Sequence, residues 1–215
     1  MSCWAAKKAL SREHACAGRR TSTCWTLPPG YRLTKLDTVT PEASLERVET
    51  GVRPSGEGWF VVNAREVPWF ETDGCGFYAV FEPENARFDQ VGFGVGILRP
   101  GEPNALYHGE DAQEDFLVLS GECLLLIEGE ERRLRDWDFV HCPAWTEHIF
   151  VGAGDGPCLV LGVGARRKGR GIRYPVNRLA LKHGAGVDTE TSDPKEAYAR
   201  FDEDKPVVCP PEFPK

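Results

Sequence analysis

GEPNALYHGEDAQEDFLVLSG (residues 101–121) and DFVHCPAWTEH (residues 138–148) decide between them how this chain folds. Each sets imidazole and carboxylate groups inside a run of aromatic and β-branched residues. His108 and Glu110 are two apart, so on an extended strand both side chains point to one face. Glu114 keeps that parity and Gln113 breaks it. His148 comes from a separate segment, so tertiary pairing must bring it to the others. One metal ion held from two strands needs an inward-facing site, which a small barrel supplies. Two imidazoles and two carboxylates without a thiolate suit divalent Fe, Mn, Ni or Zn, and the two carboxylates neutralise the ion's charge. With only three or four protein ligands, an octahedral ion keeps positions open for substrate or water.

Outward from these two stretches the chain reads as short strands. Trp59–Val62, Phe77–Phe81, Phe93–Leu98, Phe116–Leu119, Cys123–Ile127, Phe139–Val140 and Cys158–Val163 are apolar, aromatic or β-branched runs. Turn residues separate them: Pro100-Gly101, Ser120-Gly121, Glu128-Gly129-Glu130 and the segment from Gly152 to Pro157. Regular short spacing of strands indicates an antiparallel sandwich or barrel and not βαβ units. The glycines at 152, 154 and 156 lack both the GxGxxG spacing and a following helix, so they belong to a hairpin loop and not to a phosphate site. Trp59, Trp69, Phe77, Tyr78, Phe81 and Phe93 are expected in the core. Tyr107, beside His108, is expected to pack outside the barrel, and His141 and Cys142 to be structural.

The segment from Pro100 to Val163 resembles a cupin, the double-stranded β-helix barrel. The first cupin motif has the form G-x5-HxH-x3,4-E-x6-G. Here Gly101 opens it with six intervening residues, and His108, Glu110, Glu114 and Gly121 follow in register. The second motif has the form G-x5-PxG-x2-H-x3-N. Pro143 and His148 match it, whereas Trp137, Trp145 and Gly152 replace its two glycines and its asparagine. The resemblance implies metal ligands at His108, Glu110, Glu114 and His148, with Glu110 standing where the motif has a second histidine. A tryptophan at position 145 would be strained if the turn needs positive φ, so the loop is expected to differ locally there. Trp145 could also wall a pocket. Cupins host isomerases, dioxygenases, decarboxylases, binding modules and storage proteins, so the fold alone selects no activity.

The expected fold is therefore all-β: a cupin or jelly-roll barrel over residues 56–165, a poorly ordered N-terminal arm over 1–55, and a C-terminal extension over 166–215 with a short helix. Asp193-Pro194-Lys195-Glu196 supplies that helix with an N-cap, a first-position proline and a capping-box glutamate. Pro206, Pro210, Pro211 and Pro214 then oppose regular structure. The 215 residues suffice for a sizeable core. The net charge of -7 argues against a nucleic-acid or membrane-surface binder, and no apolar run approaches the ~20 residues of a membrane span. Eight cysteines without a CxxC pair, and no recognisable secretory signal, suggest a reduced, cytoplasmic protein. Cys3, Cys16, Cys24 and His14 are spaced too irregularly for a zinc site. The expected partners are a small organic molecule and a second copy of the chain in a homodimer. The alternative is a metal-free ligand-binding or structural cupin dimer.

Overall fold

The computed structural model describes residues 40–83, 87–166, 169 and 171–214. The cysteines and histidine of the first 24 residues, and most of the expected N-terminal arm, lie outside them. The end of that arm is regular: β1 (Ser44–Val48) and β2 (Gly51–Ser55) form a hairpin. Its exposed residues are polar apart from Leu45, and Pro54 interrupts the run, so no apolar alternation marks it. β3 (Trp69–Glu71), β4 (Phe77–Val80) and β5 (Val91–Leu98) follow. The motif region contributes β6 (Gly109–Glu110), β7 (Glu114–Ser120), β8 (Glu122–Ile127), β9 (Glu130–Leu134), β10 (Phe139–Cys142), β11 (His148–Ala153) and β12 (Cys158–Ala165). The C-terminal extension adds β13 (Ile172–Arg173), two short helices, α1 (Arg178–Lys182) and α2 (Pro194–Ala197), and β14 (Lys205–Val207).

Two antiparallel layers result. The larger sheet has the order β10-β7-β12-β5-β4-β3-β14. The smaller layer joins β11-β8-β9 to β13-β6 through an antiparallel bridge between His108 and His148. Inward positions alternate along β7 and β10, where Phe116, Val118, Val140 and Cys142 are buried. They meet Leu125, Phe150, Cys158 and Val160 in one apolar cluster between the layers. The β7–β8 turn depends on Gly121: its φ is 82°, and a Cβ there would sit 2.4 Å from the Pro157 carbonyl oxygen.

The C-terminal extension packs on the barrel. Tyr107 is buried outside the lumen, as its parity predicts, and its backbone N–H donates to Ala185 O at 2.7 Å. Phe213 packs edge-on against Trp69 with ring centroids 5.4 Å apart, and the Arg65 guanidinium lies 4.8 Å above Phe213. Arg99 Nε donates to Glu212 Oε1 at 2.9 Å and fixes the same tail.

Several expectations need correction. Trp59–Val62 is not a strand. Trp59 forms a single bridge to Glu42 and is 52% exposed, because its indole N–H reaches the Thr40 carbonyl at the surface. Phe93 is also exposed at the surface, whereas Trp69, Phe77 and Tyr78 are core. Pro206 lies within β14, where an edge strand tolerates the lost N–H. The Asp193 cap forms, accepting from Lys195 N at 2.8 Å, but Glu196 accepts from Thr191 Oγ1 and makes no capping box. The helix stops at Ala197. Helix α1 and strand β9 were not anticipated.

Candidate metal centre

His108 and His148 are held by the bridge that seams the smaller layer. His148 N donates to His108 O at 2.9 Å and His108 N donates to His148 O at 3.3 Å. Each ring is oriented by its own backbone. His108 Nδ1 lies 2.7 Å from Leu106 O, and His148 Nδ1 lies 3.0 Å from Thr146 O. A carbonyl only accepts, so each Nδ1 carries the proton and each Nε2 keeps its lone pair. A backbone carbonyl on the far ring nitrogen is the usual support of a metal-ligating histidine. The rings tilt toward one another with centroids 5.2 Å apart.

Glu114 opens β7 with its side chain directed inward. Its Oε2 is 3.8 Å from His108 Nε2 and 3.7 Å from His148 Nε2. One ligand atom from each of the three residues falls within 4.8 Å of the others. Two ligands at ~2.1 Å from one ion are separated by roughly 3.0 Å at a right angle and 3.4 Å at a tetrahedral angle. Glu114 Oε2 stands about 0.3–0.8 Å farther from each Nε2 than this, so the three side chains must draw together to hold one ion. Burial holds the His148 pKa below the ordinary imidazole value, against the opposing pull of the Glu114 carboxylate. The neutral imidazole is the form that binds a metal.

The structure thus brings together three of the four residues singled out by sequence. Glu110 is also buried, at 2% exposure, but lies outside the group that converges within 4.8 Å. Gln113 and His141 face outward, both hydrogen-bonded at 2.6 Å to the Asp115 carboxylate.

Two further residues matter at the centre. Tyr174 is fully buried with its ring 5.9 Å from that of His108, wedged between the histidine and Tyr198. It arrives from β13, and the only hint in sequence is the alternation Ile172-Arg173-Tyr174 after a basic loop. Phe116 packs edge-on to His148 at 5.2 Å.

Both tryptophans that replace motif glycines hold left-handed backbone, with φ of 70° at Trp137 and 69° at Trp145. The Trp145 turn therefore keeps positive φ instead of changing shape, and the chain bears the strain. Its anchor is the Trp145 N–H, which donates to Glu110 O at 2.6 Å. The indole rests on Gly171, where a Cβ would come within 3.0 Å of Cη2. With Ile172, Arg173, Ser192 and Pro194 it lines an open surface groove of about 750 Å³ that includes none of the three converging residues.

Residues 94–164 match the family model for the cupin domain. The chain carries a cupin domain over those residues. No curated protein matches it. Among solved structures, this cupin is similar to a sugar phosphate isomerase of the cupin superfamily from Silicibacter pomeroyi, at 27% identity over 48% of this chain and 66% of that chain, with TM-score 0.41. It is similar to a candidate sugar phosphate isomerase from Acidithiobacillus ferrooxidans, at 22% identity over 46% of this chain and 65% of that one, with TM-score 0.41. It is also similar to the polyketide cyclase RemF from Streptomyces resistomycificus, at 16% identity over 45% and 69%, with TM-score 0.39. The chain spans just under two thirds of the first two proteins. The activities in these names belong to those proteins.

Proposed function

We propose that this cupin binds one divalent transition metal through His108 Nε2, His148 Nε2 and Glu114 Oε2, with Glu110 as a fourth ligand, and acts there on a small organic molecule. The observation that carries this reading is the pair of Nδ1-to-carbonyl hydrogen bonds. They aim both Nε2 lone pairs at a carboxylate oxygen 3.7–3.8 Å away, inside a buried pocket. When bound, a divalent ion of this kind polarises an oxygen ligand and orients it. The chain's own contribution is to fix the ligands, exclude water with Phe116 and Tyr174, and hold carboxylates beside the ligand. Isomerase, dioxygenase and decarboxylase chemistry are all compatible with that arrangement. The buried thiols Cys123, Cys142 and Cys158 are free, which suits a reducing compartment such as the cytoplasm.

One observation favours a non-catalytic second reading: His108, Glu110, Glu114 and His148 are each 2% exposed or less. A substrate would have to open that closure, whereas a structural metal would not.

Elemental analysis of protein purified without added metal tests the site. Near-stoichiometric Fe, Mn, Ni or Zn, lost in His148→Ala, is the expected result. No bound metal, together with no thermal shift on titration with divalent ions, would sink the proposal. Retention of metal by Glu110→Ala would remove Glu110 from the ligand set. Chelator exchange separates the two readings: metal removed within minutes by a chelator fits an accessible catalytic ion, and metal retained for days a structural one.

A further inference from the structure

Three buried thiols share the apolar cluster between the two layers: Cys123 on β8, Cys142 on β10 and Cys158 on β12. Strand register sets one of them apart from the other two. Cys142 pairs with Glu114, at the start of β7. Leu159, next to Cys158, pairs with Ser120, at the end of β7. At ~3.3 Å per residue, the length of β7 puts roughly 20 Å between those ends. Cys123 lies at the same end as Cys158, because β8 begins directly after the Gly121 turn.

At that turn the two layers close on one another. A Cβ on Gly121 would stand 3.0 Å from Cys158 Cα. Cys123 follows two residues later, and its thiol is hydrogen-bonded to that of Cys158. Both side chains are fully buried, among Leu98, Val118, Leu125, Phe150 and Val160.

We propose that Cys123 and Cys158 form a reversible disulfide when the chain meets a hydroperoxide, and that this bond staples the two layers together. Both groups sit at strand ends: Cys158 is the first residue of β12 and Cys123 the second of β8. Strand ends open locally at far lower cost than the whole fold, so a small peroxide reaches the thiols without global unfolding. One sulfur, as the thiolate, attacks a peroxide oxygen and breaks the O–O bond. It becomes a sulfenic acid, and the other oxygen leaves as water. The second sulfur then displaces the sulfenic hydroxyl, which takes up that thiol's proton and departs as a second water. The two cysteines give up two electrons and two protons, and one hydrogen peroxide becomes two waters. On reclosing, a ~2.05 Å S–S bond replaces the thiol contact. A dithiol reductant reverses the step by exchange. The bond closes residues 123–158 into a loop that holds β9, β10 and β11, and such a crosslink restricts the unfolded chain. Oxidation thereby makes the folded barrel more resistant to unfolding.

Peptide mapping of the full chain after exposure to hydrogen peroxide tests the assignment, with free thiols blocked before digestion. The expected product joins Cys123 to Cys158, exceeds any other pairing at least tenfold, and disappears on treatment with a dithiol reductant. The urea midpoint should rise in the oxidised protein and return on reduction. Positions 142 and 158 share one tryptic peptide, so Cys142→Ala separates them and should form the link as wild type does. Loss of the link in that variant would overturn the proposal. So would linkage of either cysteine to Cys75 or Cys209, sulfinic acid at Cys123 or Cys158 in place of the bond, or thiols that stay reduced until urea unfolds the chain. A linked protein whose midpoint does not rise would refute the staple.

Discussion

Along β7 the inward positions run Glu114, Phe116, Val118, and along β11 they run His148, Phe150. One end of the lumen is thus built of ionisable groups and the other of hydrocarbon, on the same two strands, and Cys123 and Cys158 join the apolar end from β8 and β12. Phe116 divides them, with its ring 5.2 Å from His148 and 4.7 Å from Phe150. Backbone geometry does not distinguish the two ends, since both obey the same period of two. The difference lies in what each returns for being buried. The apolar end gains free energy from leaving water. The polar end gives some up, because a buried carboxylate loses hydration that its neighbours only partly restore. The first should fail as a matter of stability and the second as a matter of binding.

The largest expected effect is at the divider. Phe116→Ala should destabilise the protein by about 3–5 kcal/mol, the usual cost of emptying a buried aromatic site. Urea unfolding measures it, and a loss under 1 kcal/mol would mean that the two ends are not joined by packing. Glu114→Gln should do the reverse. Metal affinity should fall at least 100-fold in a calorimetric titration, which is about 2.7 kcal/mol. The metal-free protein should be as stable as wild type or about 1 kcal/mol more so, because a costly buried charge has gone. A large stability loss in that metal-free variant would contradict the division.

Trp145→Gly comes next. Left-handed backbone costs a non-glycine residue about 1–2 kcal/mol, and losing the indole's contact over Gly171 offsets part of the relief. Thermal melting should show a net gain of no more than about 1 kcal/mol, with metal binding retained. Loss of the metal would place the indole's role inside the centre and not over the groove.

The smallest effect is at the apolar end in alkali. The hydrogen bond with Cys158, followed by burial, holds the Cys123 thiol above its ordinary pKa of 9.0. The folded state therefore keeps its proton where the unfolded chain releases it. Stability is fully present below about pH 9 and declines as the pH rises beyond it. Cys123→Ala should flatten that decline in denaturant titrations between pH 9 and 11, and an unchanged slope would assign it to other groups.

How much of this was legible in the sequence follows from the same period. The inward set His108, Glu114 and His148 could be found because strand parity and motif spacing are properties of the sequence itself. Glu110 shares the parity of His108, yet its carboxylate falls outside the converging group. Parity fixes a face and says nothing of depth along it. β9 was invisible because Glu130 to Arg133 are exposed and polar and Leu134 alone packs against the core, so no apolar alternation marks it. Tyr174 was hidden because β13 is two residues long and owes its position to pairing with β6. The left-handed tryptophans at 137 and 145 could be located as departures from a glycine pattern. That the backbone would keep the glycine geometry was a tertiary outcome, fixed at Trp145 by the bond to Glu110 O.

The reciprocal backbone pair between His108 and His148 carries a kinetic consequence. The two residues are far apart in sequence, and β6, β7, β8, β9 and β10 lie between them. Closing that loop costs chain entropy that only the intervening pairings can offset. The ligands therefore converge after those strands have paired, on the native side of the folding barrier. A metal bound there would leave the folding rate nearly unchanged and would slow unfolding, so that it prolongs the life of the folded barrel without hastening its birth.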